Sequence, residues 1–402
     1  MNQSKTRVVL TGLGVCSPLG IGITPYWNNF LSGVNVLKRI KSFSTAEFEC
    51  KHAFQMNERD LMNNTGHITS HYVSRPNRLL LVSVKSALTD ARIKDYIGRE
   101  VAVFTALPYG NWDFGADFYR KLMVSGPDGV DPMAFPPTLI NYSSSYISTS
   151  YQFKGPNITF ASGIHAGIEA VNFAARLIRQ GYITQAVVSG VNVLVGDVWA
   201  MWALRNKLQV SLKRGSVGIF DAQRDGFLLG ENASTLVLED AGVAKRRKAR
   251  VYAEVLGGGL SFGKSQQDYC RSMGTALYNS RLFYKDIDVC VLNSNGLKSV
   301  DSAEISALQA LLKERISQIE FVAPKENNGE CEGASGVLQA LIGAKCISSK
   351  IVPSFSSRQY KHPRLADGLA VRYGARRKTV QNVLINSFDV DGGNAALVLG
   401  KF

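Results

Sequence analysis

The feature that most constrains the fold is the alternation of apolar, strand-like stretches with stretches of helical periodicity. The strand-like stretches are continuously apolar, which is typical of strands buried on both faces. The alternation predicts an α/β fold with layers of helices around largely parallel sheets. The strand-like stretches cover residues 7–15, 100–107, 155–161, 185–195, 233–240, 250–259, 288–296, 379–388 and 394–402, and the helical ones cover 75–92, 163–180, 301–314 and 333–347.

The two halves of the chain end in similar stretches. The first ends in "GENASTLVLED" and the second in "GGNAALVLGKF", each an apolar strand with a short polar or glycine-rich lead. A duplicated α/β unit explains this similarity. The boundary falls near 241–250, a basic helical stretch, so we predict units at 1–245 and 246–402. Residues 108–154 are irregular and rich in aromatics, Pro and Gly, and are interpreted as an insertion that carries specificity.

Composition narrows the class of partner. Of the 402 residues 45% are hydrophobic and 19% are charged, which allows a large core and argues against disorder. The formal net charge is +14, spread along the chain apart from "KRRKARV" at 245–251. Since we find no zinc-knuckle spacing, RNA-binding signature or helix-turn-helix pattern, we expect no nucleic-acid partner. A diffuse positive field suits an acidic protein or anionic carrier, although solubility alone also explains it.

The cysteines and the apolar runs indicate the cellular compartment in which the protein is expected. Six cysteines are scattered without C-x-x-C pairs, which fits a reducing compartment and argues against metal binding. No apolar run is long enough to cross a bilayer, and the N-terminal run is interpreted as a buried strand and not as a secretion signal. We therefore expect a cytoplasmic protein with no membrane partner, no metal and no cofactor. The cysteines are Cys16, Cys50, Cys270, Cys290, Cys331 and Cys346.

One stretch has the pattern of a nucleophile elbow. In "NITFASGIHAGIEAV" at 157–171, a β-rich run meets a small-residue turn and a helical pattern follows. Strand, tight turn and helix is the geometry that holds one reactive side chain at a helix N-terminus. Phe160 stands at the bend, with Ala161 and Ser162 beside it. A phenyl ring at this place has no nucleophilic chemistry.

Several motifs together resemble the β-ketoacyl synthase family, over essentially the whole chain. They are "VVLTGLGVCSPLG" near the N-terminus, "FDAQRDGFLLGENASTLVLED" at 220–240, "VYAEVLGGG", "PKENNGECEGASG" at 324–336 and "INSFDVDGGNAALVL" at 385–399. "FDAQRDGF" followed by "GE" is highly specific. The resemblance implies a thiolase-like fold, in which duplicated α/β halves form an α-β-α-β-α layered architecture.

The resemblance also implies a catalytic set that is missing here. Active members carry a nucleophilic cysteine, a histidine before Gly-Thr and a second histidine after Lys-Ser-x-x-Gly. The cysteine accepts an acyl chain, and the histidines assist decarboxylation of a malonyl thioester and stabilise the charge that develops. The three matching places, called the relic positions below, hold Phe160, Asn295 and Glu330, while the family's lysine is present as Lys325. A carboxylate at Glu330 would repel a developing oxyanion.

The family's glycine-rich gating loop is altered as well. "SFDVDGGN" at 387–394, called the gate loop below, has Val390 where the family has a bulky gate, and Asp389 and Asp391 add charge. Gly392 and Gly393 keep the glycine-rich character of the loop. With Lys325, Asn386 and Phe388, these residues are expected to form the framework of the relic centre.

Three substitutions within an intact frame resemble the chain-length factor, the ketosynthase β subunit of type II polyketide synthases. The resemblance implies a heterodimer with a catalytic ketosynthase α subunit, to which an acidic acyl carrier protein delivers the chain. Side chains of the β subunit help to close the elongation tunnel, and a closed end limits the number of two-carbon units. The product class stays open between aromatic polyketides and aryl-polyene-like or other polyene chains.

The insertion contains the candidate tunnel residues. In "LPYGNWDFGADFYRKLM" at 107–123, a helical pattern from about 112 puts Trp112, Gly115 and Tyr119 on one face. By the resemblance these positions match the family's chain-length gates. Phe118 is included as a candidate, although it and Phe114 lie on adjacent faces where packing is expected. The alternative is that the whole aromatic stripe is ordinary interface core.

Other interpretations remain open. The chain could be an independent malonyl decarboxylase or acyltransferase that uses Glu330, Asn295 or Cys331, or a homodimeric acyl-binding scaffold. Relatives with glutamine at the cysteine's place have been assigned decarboxylation, but Phe160 has no hydrogen-bond donor. The remaining polar residues are expected to be structural, with His165 buried, Ser162 and Cys331 inert, and Arg224, Asp225 and Glu231 in a buried polar network.

Overall fold

The computed structural model describes residues 6–65, 73–93, 98–208, 219, 224–353 and 374–402. In the first half the elements are β1 (Val8–Ser17), β2 (Gly20–Ile21), α1 (Ile23–Leu31), β3 (Lys38–Arg39), β4 (His52–Ala53), α2 (Glu58–Thr65), α3 (Arg75–Asp90), β5 (Ala102–Ala106), α4 (Trp112–Ser125), α5 (Tyr142–Tyr151), β6 (Asn157–Phe160), α6 (Ala166–Arg179), β7 (Gln185–Asn192), α7 (Gly196–Leu204), β8 (Asn232–Asp240) and α8 (Ala241–Arg246).

In the second half the elements are β9 (Ala253–Phe262), α9 (Gln266–Ser280), β10 (Val289–Val291), α10 (Lys298–Leu312), β11 (Glu320–Val322), α11 (Lys325–Asn328), α12 (Gly333–Ser349), β12 (Ile351–Val352), β13 (Arg376–Arg377), β14 (Asn382–Phe388) and β15 (Gly393–Gly400). Short 3-10 turns occur at Pro127–Gly129, Pro132–Ala134, Pro136–Thr138, Tyr284–Asp286 and Lys313–Gln318. None of the helices in the described ranges combines the length and apolarity that crossing a membrane requires.

The same strand arrangement occurs twice. The main sheet runs β11-β10-β14-β15-β9-β1-β8-β7-β5-β6, so the five strands of each half lie in the same order, third, second, fourth, fifth and first along the chain. The pairings also correspond, because β5 is parallel to β6 and β7 just as β10 is parallel to β11 and β14. The two sets meet where β1 pairs antiparallel with β9. This repetition supports the proposal of a duplicated unit.

The helices form the other layers. Helices α6 and α12 pack against each other and each contacts strands of both sets, so they form a central layer. Helices α3 and α5 cover the outer face of the first set, and α9, with α10 packed on it, covers that of the second. The predicted α-β-α-β-α architecture is therefore confirmed. The core follows from this layering, since α12 has an almost entirely buried surface.

Three details of the prediction were wrong. The sheets are mixed and not largely parallel, because the last strand of each half pairs antiparallel with its neighbours on both sides. The stretch 155–161 is not buried on both faces, because β6 is an edge strand whose residues are all exposed or half-buried. The insertion at 108–154 is largely helical, with α4, three 3-10 turns and α5.

Candidate functional site

The elbow forms as the sequence predicts, and it holds a phenyl ring. Strand β6 ends at Phe160, a turn follows, and α6 begins at Ala166. Gly163 in the turn has φ +101°, a value that glycine adopts without strain. The ring of Phe160 lies edge-on to Phe173 at 5.6 Å and to Phe104 at 6.3 Å between centroids. Phe160 therefore belongs to an aromatic cluster with Phe104 and Phe173.

The other two relic positions hydrogen-bond to each other. Asn295 Nδ2 donates to Glu330 Oε2 at 2.8 Å, and Lys325 Nζ donates to the same oxygen at 2.8 Å. Ser335 Oγ donates to Glu330 Oε1 at 2.7 Å, and the backbone N–H of Glu332 lies 3.2 Å from it. The Glu330 side chain is completely buried and that of Lys325 is 2% exposed. Both groups are thus engaged within the protein.

This arrangement leaves no free acid or base in the network. Lys325 also donates to Asn293 Oδ1 at 2.9 Å, and that oxygen accepts the backbone N–H of Phe388 at 2.9 Å. Glu304 and Asp301 order the loop around Asn295, because they accept backbone N–H groups from residues 293–296. A buried charge needs such partners, so the network is self-contained. Its geometry satisfies Glu330 without a substrate.

One buried carboxyl beside the network is not satisfied. Glu332 is 1% exposed, and neither of its oxygens has a hydrogen-bond partner among the described residues, although the indole of Trp202 lies near it. Its backbone has φ +49°, which is uncommon for a residue with a side chain. Burial and then the nearby Glu330 and Asp389 raise the pKa of Glu332 well above its ordinary value, against the smaller opposing effect of Lys325. Glu332 was not among the residues predicted from the sequence, where its signal is a second acid in "GECEGASG".

Removing this carboxyl should stabilise the protein at neutral pH. A carboxyl whose pKa is raised on folding keeps its proton to a higher pH in the native state than in the unfolded state, so stability falls as the pH rises above about 4.3, the pKa expected in the unfolded state. We therefore expect Glu332→Gln to raise the denaturation midpoint at pH 7, with a gain that shrinks towards pH 4. Urea unfolding at several pH values measures it. A pH-independent difference would contradict a buried, protonated Glu332.

The remaining candidates have structural surroundings. Cys331 is 1% exposed, and burial followed by the charge of Glu330 raises its pKa well above the ordinary thiol value, so the nucleophilic thiolate is disfavoured. His165 was predicted to be buried but is half-buried, with 14% of its side chain exposed, because it lies near the surface between Glu169 and Asp389, at 4.0 and 3.9 Å. The exposed Ser162 hydroxyl donates to Glu169 and not to a histidine.

The predicted buried network around residues 224–231 is divided in the structure. Arg224 pairs with Asp301 at 2.9 Å, whereas Glu231 pairs with Arg75 at 2.7 Å. Asp225 is exposed, so its predicted place in a buried network was wrong. Among the described residues, no three His, Cys, Asp or Glu side chains are grouped so that they could hold a metal ion.

The gate loop is anchored at its base. Phe388 stacks on Tyr269 with 4.2 Å between ring centroids, and Asn386 donates to Glu304 at 3.0 Å. Gly393 has no room for a side chain, because a Cβ there would lie 2.0 Å from the imidazole of His165. Gly392 has φ +110° and Val390 is half-buried against the core. These contacts hold the base of the gate loop in place; that the residues form a framework for the relic centre stays a prediction.

The insertion exposes a row of apolar groups. Trp112 and Tyr119 on α4 are 45% and 50% exposed, whereas Gly115 between them is buried with nothing within 4 Å of an added Cβ. Phe118 faces elsewhere and contacts Phe135, and it lines a cavity of about 410 Å³ with Phe114. Eight large apolar side chains are exposed between residues 112 and 140: Trp112, Tyr119, Met123, Val124, Met133, Phe135, Leu139 and Ile140.

Comparison with family models decides the relationship. The model described as "Beta-ketoacyl synthase, N-terminal domain" matches residues 5–244, and the one for the C-terminal domain matches residues 252–358. The chain belongs to the β-ketoacyl synthase family. Its duplicated strand order and its elbow are therefore features of a ketosynthase-family protein.

Individual relatives share the full length of this ketosynthase-family chain. A 3-oxoacyl-[acyl-carrier-protein] synthase 2 of Rhizobium meliloti (strain 1021) is 28% identical, with 98% of this chain and 99% of the relative covered. The synthase of the same name from Coxiella burnetii (strain RSA 493 / Nine Mile phase I) is 27% identical, with 99% of both chains covered. The similarity thus extends to enzymes named as synthases.

Solved structures with a similar fold also come from ketosynthases. The ishigamide ketosynthase/chain length factor has a TM-score of 0.90 at 26% identity, with 99% of this chain and 100% of that one covered. A complex of a type II PKS acyl-carrier protein with its ketosynthase, AntDE:AntF, has a TM-score of 0.87 at 18% identity, with the same coverage, and shows the fold alone. The fold is therefore thiolase-like, as in ketosynthases.

Proposed function

We propose that this chain is a non-catalytic chain-length factor, the β subunit of a type II polyketide synthase. The observation that carries the proposal is the set of contacts at the relic positions, where Phe160 packs in an aromatic cluster and Glu330 accepts hydrogen bonds from both Asn295 and Lys325. A phenyl ring accepts no acyl group, and a carboxylate opposes the oxyanion that the histidines would stabilise. In this proposal the chain keeps the fold of the family, while the side chains at the relic positions do not perform the family's acyl transfer or decarboxylation.

The partner in this proposal is a catalytic ketosynthase α subunit. Strand β6 is at the edge of the main sheet, with no neighbouring strand on its outer side among the described residues, and residues 112–140 expose eight large apolar side chains. Both are features of surfaces that another protein covers. Trp112, Gly115 and Tyr119 would then lie at the interface as the end of the partner's tunnel. The net charge of +14 favours an acidic acyl carrier protein as the donor of the growing chain.

An independent enzyme is a weaker candidate. The three residues that a decarboxylase or acyltransferase could use are Asn295, Glu330 and Cys331, and all three are buried. Asn295 and Glu330 are engaged with each other, and burial raises the pKa of Cys331. No described group of this set is free to act on a malonyl thioester, so the proposal does not rest on residual chemistry.

Co-expression tests the proposal. We expect the purified chain alone neither to turn over malonyl-carrier protein nor to become acylated, and we expect it to form a stable complex with an intact ketosynthase α subunit. Intact-protein mass spectrometry after incubation with acyl-carrier protein, and co-purification from cells that express both chains, measure these outcomes. A covalent acyl group on the isolated chain would contradict the proposal. A stable homodimer that does not bind the α subunit on co-expression would also contradict it.

A further inference from the structure

Two acidic residues of the gate loop tie it to different parts of the protein. On one side, Asp389 Oδ2 accepts the backbone N–H of Ile164, in the elbow turn, at 2.7 Å. On the other, Asp391 Oδ1 accepts from Arg205, at the end of α7, at 2.6 Å. The two aspartates lie two positions apart, so the tip of the loop is held from both sides.

Asp389 makes further contacts, so it holds the loop more strongly than Asp391 does. Its second oxygen, Oδ1, accepts the backbone N–H of Asp391 at 2.9 Å, which fixes the turn of the loop itself. The carboxylate approaches Gly163 so closely that a Cβ there would lie 2.0 Å from Oδ2. Burial acts to raise the pKa of Asp389, but contact with His165 and the two backbone N–H groups outweigh it and hold the pKa below the ordinary value. The charged, hydrogen-bonding form is therefore the stable one.

The elbow and the loop are also joined independently of the aspartates. Ser387 Oγ donates to the backbone oxygen of Ile164 at 3.2 Å, and the Gly263 N–H donates to the Gly392 oxygen at 2.8 Å. The Ser387 bond holds the base of the loop, whereas the Gly392 bond and the two aspartates hold its tip. Of the contacts at the tip, those of Asp389 and Asp391 are made by side chains and can be removed by substitution.

We infer that Asp389 and Asp391 form a two-sided clasp that keeps the gate loop closed against the elbow turn, and so keeps the relic centre of this subunit shut. Asp389 supplies most of the restraint because its carboxylate is buried and accepts two backbone N–H groups, and Asp391 supplies less because its ion pair is largely exposed. The inference goes beyond the proposed function, since the clasp acts on the loop whether or not the chain sets a product length.

Hydrogen exchange in the full-length chain tests the clasp. Loss of a buried hydrogen bond to a charged acceptor corresponds to about a 10- to 100-fold change in an opening equilibrium. We expect Asp389→Ala to speed amide exchange throughout residues 387–394 by about that factor, and Arg205→Ala by about two- to fivefold. Asp60→Asn, an exposed aspartate on α2, is the matched control and should leave this exchange unchanged.

A chemical probe separates loop opening from a purely local effect. Cys331 is buried beside the relic network, so its alkylation by N-ethylmaleimide, followed by peptide mass spectrometry, reports access to that centre. We expect faster alkylation in Asp389→Ala and in the isosteric Asp389→Asn, which replaces it if the alanine variant loses its native near-ultraviolet circular dichroism. Exchange and alkylation rates equal to those of the wild type would overturn the clasp. Neither readout needs a polyketide product, so failure of the clasp and failure of the proposed function are distinguishable.

Discussion

Lys325→Met is expected to lower the free energy of unfolding by about 3–5 kcal/mol, because it leaves the carboxylate of Glu330 buried without its cationic partner. The pair is 2.8 Å apart with both side chains almost completely buried, so water cannot replace the lost contact. Asn295 and Ser335 would still donate to the carboxylate but carry no charge. Urea denaturation, followed by circular dichroism, measures the change.

Two further variants serve as controls for the stability change of Lys325→Met. Lys85→Met removes an exposed lysine from α3 and should change stability by less than about 0.5 kcal/mol. The double variant Lys325→Met/Glu330→Leu removes both charges and should recover part of the loss, because no unpaired charge stays buried, whereas Asn295 and Ser335 lose their acceptor. A cost below about 1 kcal/mol for Lys325→Met would mean that water reaches the pair, and the relic centre would then not be a closed network.

Gly115→Phe, in the complex with a ketosynthase α subunit, is expected to shorten the main product by about two to three two-carbon units, since a benzyl group displaces a comparable number of carbon atoms. Gly115 is buried on α4, yet no described atom beyond its chain neighbours and its own helix backbone lies within 4 Å of an added Cβ. There is therefore space for the first atom of a new side chain, and circular dichroism of the free variant checks that the fold is kept. Mass spectrometry of products from the reconstituted synthase measures the chain length.

The reverse change provides the complementary result. Tyr119→Ala removes a half-exposed ring from the same face of α4 and should lengthen the product. Val124→Ala is the matched control, because Val124 is 81% exposed on the same helix but lies off this face. If the product distribution is the same for Gly115→Phe, Tyr119→Ala and the wild type, then α4 does not form the end of the tunnel.

Much of the fold could be predicted because its signals are local. Continuously apolar stretches identified nine of the ten strands on the path of the main sheet, and helical periodicity identified α3, α6, α10 and α12. The similar ends of the two halves indicated the duplication that the shared strand order repeats. Strand direction could not be derived in this way. Whether β8 runs parallel or antiparallel to β7 depends on how the chain returns to the sheet after α7, and an apolar stretch has the same composition in either direction.

Side-chain identity, by itself, determined what the relic positions cannot do: a phenyl ring at 160, an amide at 295 and a carboxylate at 330 lack the chemistry of the family's catalytic set wherever they point. Only the tertiary structure decided what these groups do instead. Asn295 reaches Glu330 across 35 residues and Asp389 reaches Ile164 across 225, so neither contact has a local signal. The burial of Glu332 without a hydrogen-bond partner could not be predicted for the same reason. Whether a buried carboxyl has a partner depends on which elements, distant in sequence, pack against it.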